Sequence, residues 1–396
     1  MHRSRPLVRS LLVLTLLVGL GAAAALAASQ FRDPDEALAE PFVGITTDGT
    51  VVPGLYEIRA TGVSTAPVVE AAEAFLASLT PEQREATTFP VDSSEWRDWH
   101  NIHRYDREGI RRRDMTPGQE EAALGLLRAS LSADGFAKSR DIMRLNGHLA
   151  DLLDEHDEYG EGLYHFTVMG EPSETDPWGW QLDGHHLVIN YFVLGDQVVM
   201  TPTFMGSEPV HAESGPYAGT RVFEPEQDKG LALAQSLSAE QRESAILADS
   251  PPRQISTPAF HDNFRIEYAG IRAAELDESQ RGLLLELIRE YVGNMDDGHA
   301  EVKMAEVREH LADTRFAWMG GTGDDAVFYY RVHSPVILIE FDHQGGVALE
   351  ADGVTRDHVH TVVRTPNGND YGKDLLRQHH ERYAHVNGRH RARGSE

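Results

Sequence analysis

The chain states the same pattern twice. Ser78-Leu79-Thr80-Pro81-Glu82-Gln83-Arg84-Glu85 returns as Ser236-Leu237-Ser238-Ala239-Glu240-Gln241-Arg242-Glu243. Gly109-Ile110-Arg111 returns as Gly270-Ile271-Arg272, His148-Leu149-Ala150-Asp151 as His310-Leu311-Ala312-Asp313, and Phe166…Met169-Gly170 as Phe316…Met319-Gly320. The order is kept and the spacing drifts by only a few residues, so chance is a poor explanation for all of them together. A chain of this kind is expected to bury one type of unit twice, in two like halves that share a core.

Each half follows one plan. A short helix opens with a capping box, Thr80-x-x-Gln83 or Ser238-x-x-Gln241, in which the hydroxyl accepts an orphan N–H and the Gln reaches back. A polar, irregular stretch follows. A long amphipathic helix then starts at a second box, Thr116-x-x-Gln119 with Pro117 in its first turn, or Asp277-x-x-Gln280. Ala122, Leu126, Leu127 and Leu131 keep helical spacing in the first half, and Leu283, Leu287, Ile288 and Tyr291 do so in the second. A further helix ends in the repeated His-Leu-Ala-Asp segment.

Strands are predicted around Leu163–Met169, Gln181–Val193 and Gln197–Phe204, then around Arg315–Trp318, Phe328–Phe341 and His358–Val363. The fold class expected is α+β: two sequence-related halves, each helices followed by an antiparallel sheet, arranged with pseudo-two-fold symmetry. The divisions expected are a signal peptide at 1–27, an extended lead-in at 28–69, the repeats at 70–227 and 228–375, and a basic C-terminal end at 376–396.

Charge and composition narrow the function. The 396 residues carry 63 acidic and 36 basic side chains, a formal charge of −27, which disfavours nucleic acid and anionic lipid as partners. There are no cysteines, so disulfides, thiolate metal sites and cysteine nucleophiles are excluded. At the N-terminus Arg3, Arg5 and Arg9 precede an apolar run from Leu11, and Ala25-Leu26-Ala27 supplies a small-x-small cleavage pattern. The expectation is an exported protein, periplasmic or extracellular. The alternative is retention of that run as an N-terminal membrane anchor. No later segment is apolar enough to span a bilayer.

Several phrases carry a family resemblance. They are Trp178-Gly179-Trp180-Gln181 leading into Gly184-His185-His186-Leu187, then Thr201-Pro202, Tyr330-Arg331 with Ile339-Glu340, and His358-x-His360 with Asn369-Asp370-Tyr371-Gly372. In these the chain resembles an uncharacterised bacterial family, domain of unknown function 3500, over most of its length after the lead-in. The resemblance implies a bacterial protein that is often exported. It lends no activity, so chemistry has to come from the residues.

Aligning the halves on Trp180 and Tyr330 sets Gln181 against Arg331, His186 against Val336 and Asn190 against Glu340. The sharpest cluster is in the second half. Residues two apart on a strand share a face, so His358 and His360 point the same way, with Arg364 further along. If the preceding strand pairs with this one, Glu340 can meet both imidazoles. Two imidazoles and a carboxylate leave coordination positions open, which suits zinc or non-haem iron. A bound water then becomes a nucleophile near neutral pH. The plainer reading is a hydrogen-bonded His pair, with Glu340 bonded to Arg331. His186 is a further candidate ligand, reckoned to share a strand face with Asn190. Copper is less favoured: Met200 and Met205 flank Thr201-Pro202 without motif spacing.

Arg331 and Arg364 are candidates to bind an anionic part of a substrate, and Asp370 and Tyr371 to donate a proton or support a ligand. The plainer role of Asp370 is to cap the helix that begins at Lys373. Trp96, Trp99, His100 and His103 either line a pocket or anchor a loop. The chain lacks G-x-S-x-G, H-E-x-x-H, a Walker loop and G-x-G-x-x-G after a strand. Two functions are therefore carried forward: a metal-dependent enzyme of hydrolase type with a small-molecule substrate, and an exported small-ligand or metal-binding protein without catalysis.

Overall fold

In the sequence the strands alternate apolar and polar residues, and the structure, a computed structural model, turns that alternation into a sheet with two unlike faces. Residues 32–349, 351–386 and 389–392 are described. The expected signal segment lies outside them. Residues 34–39 form a short helix, and the chain from Phe42 onward belongs to a separate compact unit.

That unit is built on one large mixed sheet. Its strands are β1 (Thr88–Phe89), β2 (Ile110–Arg111), β3 (Tyr164–Met169), β4 (Trp178–Gly184), β5 (Leu187–Leu194), β6 (Gln197–Val199), β7 (Thr203–Ser207), β8 (Ile246–Ala248), β9 (Ile271–Arg272), β10 (Arg315–Gly320), β11 (Phe328–His333), β12 (Leu338–Gly345) and β13 (Val354–Arg364). The order across the sheet is β1-β3-β4-β5-β7-β13-β12-β11-β10-β8, with β2 on β3, β6 on β5 and β9 on β10. Only β1–β3 and β8–β10 are parallel. The seam between the strands of the first and second halves is the antiparallel pair β7–β13, with Phe204 opposite Val362 and Gly206 opposite His360.

The capping boxes form as read. Thr80, Thr116, Ser238 and Asp277 each accept from the backbone N–H three residues on, and the matching Gln returns the bond. The long helices Pro117–Ser130 and Glu278–Val292 bury Leu126, Leu127, Leu284, Leu287 and Ile288 against one sheet face. That face carries Trp180, Tyr191, Trp318, Phe328, Tyr330 and Phe341. Among the described residues no helix is long and apolar enough to cross a membrane.

Three predicted strands need correcting: Gln197–Phe204 is broken at Met200-Thr201-Pro202 into β6 and the start of β7, and the other two each hide a hairpin. The run Gln181–Val193 is the inner part of a hairpin, β4 and β5, turning at His185-His186 with Gln181 opposite Asn190. The run Phe328–Phe341 is likewise β11 and β12, joined across Ser334–Ile337. In both, a turn lay inside a run read as one strand: Asp183-Gly184 stands just before the two turn residues of the first, and Ser334-Pro335 marks the break in the second.

The second sheet face is polar, yet it is not solvated. Gln181, Asn190, Glu340, Asp342 and Arg364 are all buried there. The irregular segments 90–108 and 250–268 cover it. Gln181 donates to the Trp96 carbonyl (3.2 Å), Trp99 to the Tyr371 hydroxyl (2.9 Å), and Arg364 to the Thr257 and Pro258 carbonyls (3.0 and 2.8 Å). A polar face sealed in this way must satisfy each buried group locally, so its exceptions are informative.

Candidate metal centre

Three imidazoles meet where the β7–β13 seam reaches the rim of the polar face. His358 and His360 stand two apart on β13 and so share that face. His186 comes from the other half, as the second residue of the β4–β5 turn, with a left-handed backbone (φ 62°). Its N–H donates to the Asn101 carbonyl (3.1 Å) and its own carbonyl accepts from Gly206 N–H (2.7 Å), which pins the turn against β7. The expectation that His186 shares a strand face with Asn190 is thus replaced: it reaches the cluster from a turn.

Gly206 makes room for the rings. A Cβ there would stand 3.0 Å from Cδ2 of His360, 3.2 Å from Cδ2 of His186 and 2.7 Å from the Val359 carbonyl oxygen. No other residue leaves that space beneath two imidazoles.

The Nε2 atoms form a near-equilateral triangle. His186–His360 is 3.1 Å, His186–His358 is 3.3 Å and His358–His360 is 3.0 Å. His358 Nδ1 donates to the Gly345 carbonyl at 2.7 Å, so its Nε2 presents a lone pair to the centre. Only His186 and His360 can then supply a proton, and three short N···N contacts cannot all be hydrogen bonds. One cation at the centre would satisfy all three lone pairs. The triangle's centre lies about 1.8 Å from each nitrogen, a spacing that metal–imidazole bonds of about 2.0–2.1 Å would span, so the three rings could hold one ion together. Among the described residues this group is the one set of His, Asp and Glu whose ligand atoms lie within 4.8 Å of one another and could hold a metal ion.

Electrostatics favour the unprotonated rings. Burial holds His186 well below the ordinary histidine range, reinforced by His185 and His358, and holds His360 down likewise with His358 and His186. His358 is also lowered by burial, opposed by Glu208, whose carboxylate stands 3.6 Å from Nδ1. Glu208 in turn accepts the N–H groups of Val347, Ala348 and Leu349 (2.8, 3.0 and 3.0 Å), tying the β12–β13 connection to the back of the site. His360 is half-buried and gives the cluster its access to solvent.

Glu340 does not join the cluster. It lies on the same face, but opposite Val362. Its carboxylate accepts Ser256 N–H (2.7 Å), Thr257 N–H (2.9 Å), Thr257 hydroxyl (2.6 Å) and Tyr329 hydroxyl (2.7 Å). Four donors saturate it. Arg331, opposite Glu340, donates to the Glu267 carbonyl (3.3 Å).

Arg364, Asp370 and Tyr371 are drawn into a different network. Arg364 bonds Asp262 (2.9 Å) and Asp370 (3.3 Å), Tyr371 donates to Asp262 (2.9 Å), and Arg97 pairs with the other oxygen of Asp262 (2.8 Å). Asp370 accepts Thr365 N–H (2.7 Å) instead of capping the helix at Lys373. This balanced network closes the covering segments over the sheet. At about 3.4 Å per residue, Arg364 stands roughly 14 Å along β13 from His360.

Trp96 and Trp99 are fully buried loop anchors. His103 lines an open cleft of about 820 Å³ with Glu95, Asp98, Tyr105, Arg107 and Glu158. Its ring lies 5.5 Å from that of His185, which stacks on His186 at 3.9 Å, so the cleft wall adjoins the triad.

Sequence reading alone missed Gly206, Glu208, Gln344 and Asp342. None sits at motif spacing: Gly206 and Glu208 matter only once β7 lies beside β13, and Asp342 and Gln344 only once β12 does. A model of the family described as Protein of unknown function (DUF3500) matches residues 61–373. No curated protein and no solved structure matches the chain.

Proposed function

The chain belongs to the DUF3500 family, whose description assigns no activity, and we propose that it is a metal-binding protein in which His186, His358 and His360 hold one divalent ion. The observation that carries this reading is the triangle of Nε2 atoms at 3.0–3.3 Å, with the His358 tautomer fixed from behind. Three imidazoles suit zinc or iron, with copper less favoured in the absence of a sulfur ligand. A His₃ face with an open fourth position lowers the pKa of a bound water, so metal-assisted hydrolysis of a small-molecule substrate is the reaction class.

A second reading is non-catalytic metal or small-ligand binding. It is favoured by the deep burial of His186 and His358, with only His360 reaching solvent. Export to the periplasm or exterior is part of the proposal, supported by the basic start, apolar run and Ala25-Leu26-Ala27. So is duplication: β1–β3–β4–β5–β7 and β8–β10–β11–β12–β13 follow one another in the same order on either side of the seam.

The test is zinc titration of tag-free wild type and of His358→Ala/His360→Ala. Wild type is expected to take up one equivalent and gain thermal stability, and the double variant to do neither. Equal uptake by both would refute the assignment. Zinc-dependent turnover of p-nitrophenyl acetate separates the enzyme from the binding protein.

A further inference from the structure

Asp342 is one of the exceptions on the sealed polar face, where Thr167 Oγ1, Arg331 Nε and His333 Nδ1 also lack a partner, and it is the one paired with a histidine of the triad. It is fully buried, directly opposite His360 in the β12–β13 ladder. Residues paired in this way put their side chains on one face with Cβ atoms about 5 Å apart. Gln344, the next residue on that face, donates its side-chain amide to Oδ2 of Asp342. The other oxygen, Oδ1, is buried and has no hydrogen-bond partner. A buried carboxyl oxygen without a donor is costly, and Glu340, two residues away on the same strand, shows what a saturated carboxylate looks like here.

Gln344 fixes which oxygen is left over. On the far side of His360 stands Gly206, with no side chain. The polar group flanking the His360 ring from the neighbouring strand is therefore Asp342. It is not itself a member of the group whose ligand atoms lie within 4.8 Å of one another. A water bound to the ion, about 2 Å from it, extends the reach by one hydrogen bond and brings a carboxyl about 4–5 Å from the ion into contact.

We propose that Asp342 is the catalytic carboxyl of the site: its Oδ1 accepts a hydrogen bond from the water on the metal's fourth position and takes that water's proton. This rests on the His₃ metal reading above. In ester hydrolysis the O–H bond of the bound water breaks and its proton passes to Oδ1. The oxygen's electron pair forms a C–O bond to the carbonyl carbon, whose π pair moves to the carbonyl oxygen. Collapse expels the alkoxide, which recovers the proton from Asp342, so ester and water become acid and alcohol. Gln344 is the positioning residue that holds the carboxyl with Oδ1 free.

The experiment compares wild type, Asp342→Asn and Gln344→Ala for zinc stoichiometry, zinc affinity by chelator competition, p-nitrophenyl acetate turnover, and the visible spectrum of the cobalt-loaded form. Asp342→Asn is expected to keep one zinc with affinity within about threefold, to lose roughly 100-fold in kcat/KM, and to shift the cobalt bands. Gln344→Ala is expected to lose less, and it decides the matter if Asp342→Asn fails to fold. Unchanged turnover and bands in a zinc-loaded Asp342→Asn overturn this inference and leave the His₃ site standing. Loss of zinc from that variant overturns it too, since Asp342 would then be a ligand. If zinc-loaded wild type does not turn over the ester, the cobalt bands decide. A wild type that binds no zinc overturns both readings.

Discussion

Gly206→Ala probes the packing of the centre without touching a ligand. The new methyl would meet the Val359 carbonyl oxygen at 2.7 Å, His360 Cδ2 at 3.0 Å and His186 Cδ2 at 3.2 Å. Ordinary carbon contacts lie near 3.5–4.0 Å. Adding a methyl to a packed interior costs about 1–3 kcal/mol. The clash with the Val359 backbone is present with or without metal and should appear as lost stability. The clash with the rings differs: without metal the imidazoles can turn aside, whereas a bound ion pins both. If about 1.4 kcal/mol of the strain falls on the loaded state alone, Kd rises about tenfold. Urea denaturation of the metal-free protein reads the first part, and chelator competition for zinc reads the second. A Gly206→Ala protein that binds zinc as tightly as wild type would show that the two rings do not lean together over this glycine, and the triangle would have to be abandoned.

Three further outcomes follow from the surroundings. Glu208→Gln should weaken zinc binding by about 10–100-fold, the usual effect of removing a carboxylate behind a ligating histidine, and should raise amide exchange at Val347–Leu349, whose N–H groups it now holds; unchanged affinity would separate Glu208 from the site. Glu340→Ala should cost several kcal/mol in denaturant stability, at about 1–3 kcal/mol for each buried donor left unpaired, while zinc stoichiometry stays at that of wild type; loss of zinc with stability intact would restore Glu340 as a ligand. Burial, then Asp98, Glu108 and Asp183, raise the Glu95 carboxyl to about 8. The folded state therefore holds that proton more tightly than the unfolded chain, and stability from this group falls as pH rises from its ordinary range towards 8. Glu95→Gln should flatten that decline and be the more stable protein at pH 9; a wild-type advantage at pH 9 would contradict it.

Local features of this molecule were legible where sequence neighbours make them. The capping boxes, the His-x-His face and the amphipathic helices each depend on residues within a turn or two, and they stand as read. The centre itself was legible only in part. His358 and His360 share a face because strands alternate, but the third imidazole depends on β7 lying beside β13 and on a turn at His185-His186 without a glycine. Glu340 was chosen because it is a carboxylate on the right face of the right strand. One register step separates it from Asp342 opposite His360, and Ser256 and Thr257, from an irregular segment no pattern linked to it, claim it first together with Tyr329 of the neighbouring strand. Arg364 and Tyr371 were likewise taken by Asp262, a residue in an irregular segment whose position over the sheet has no periodic signal, and Asp370 pairs with the same Arg364.

The central claim is that three histidines from two halves of the chain share one ion. Elemental analysis of protein purified without an affinity tag and dialysed against zinc tests it most directly. One bound zinc per chain is expected, lost when His186 alone is replaced by Ala. A wild type free of metal, or a His186→Ala protein that still retains a full equivalent, would contradict it.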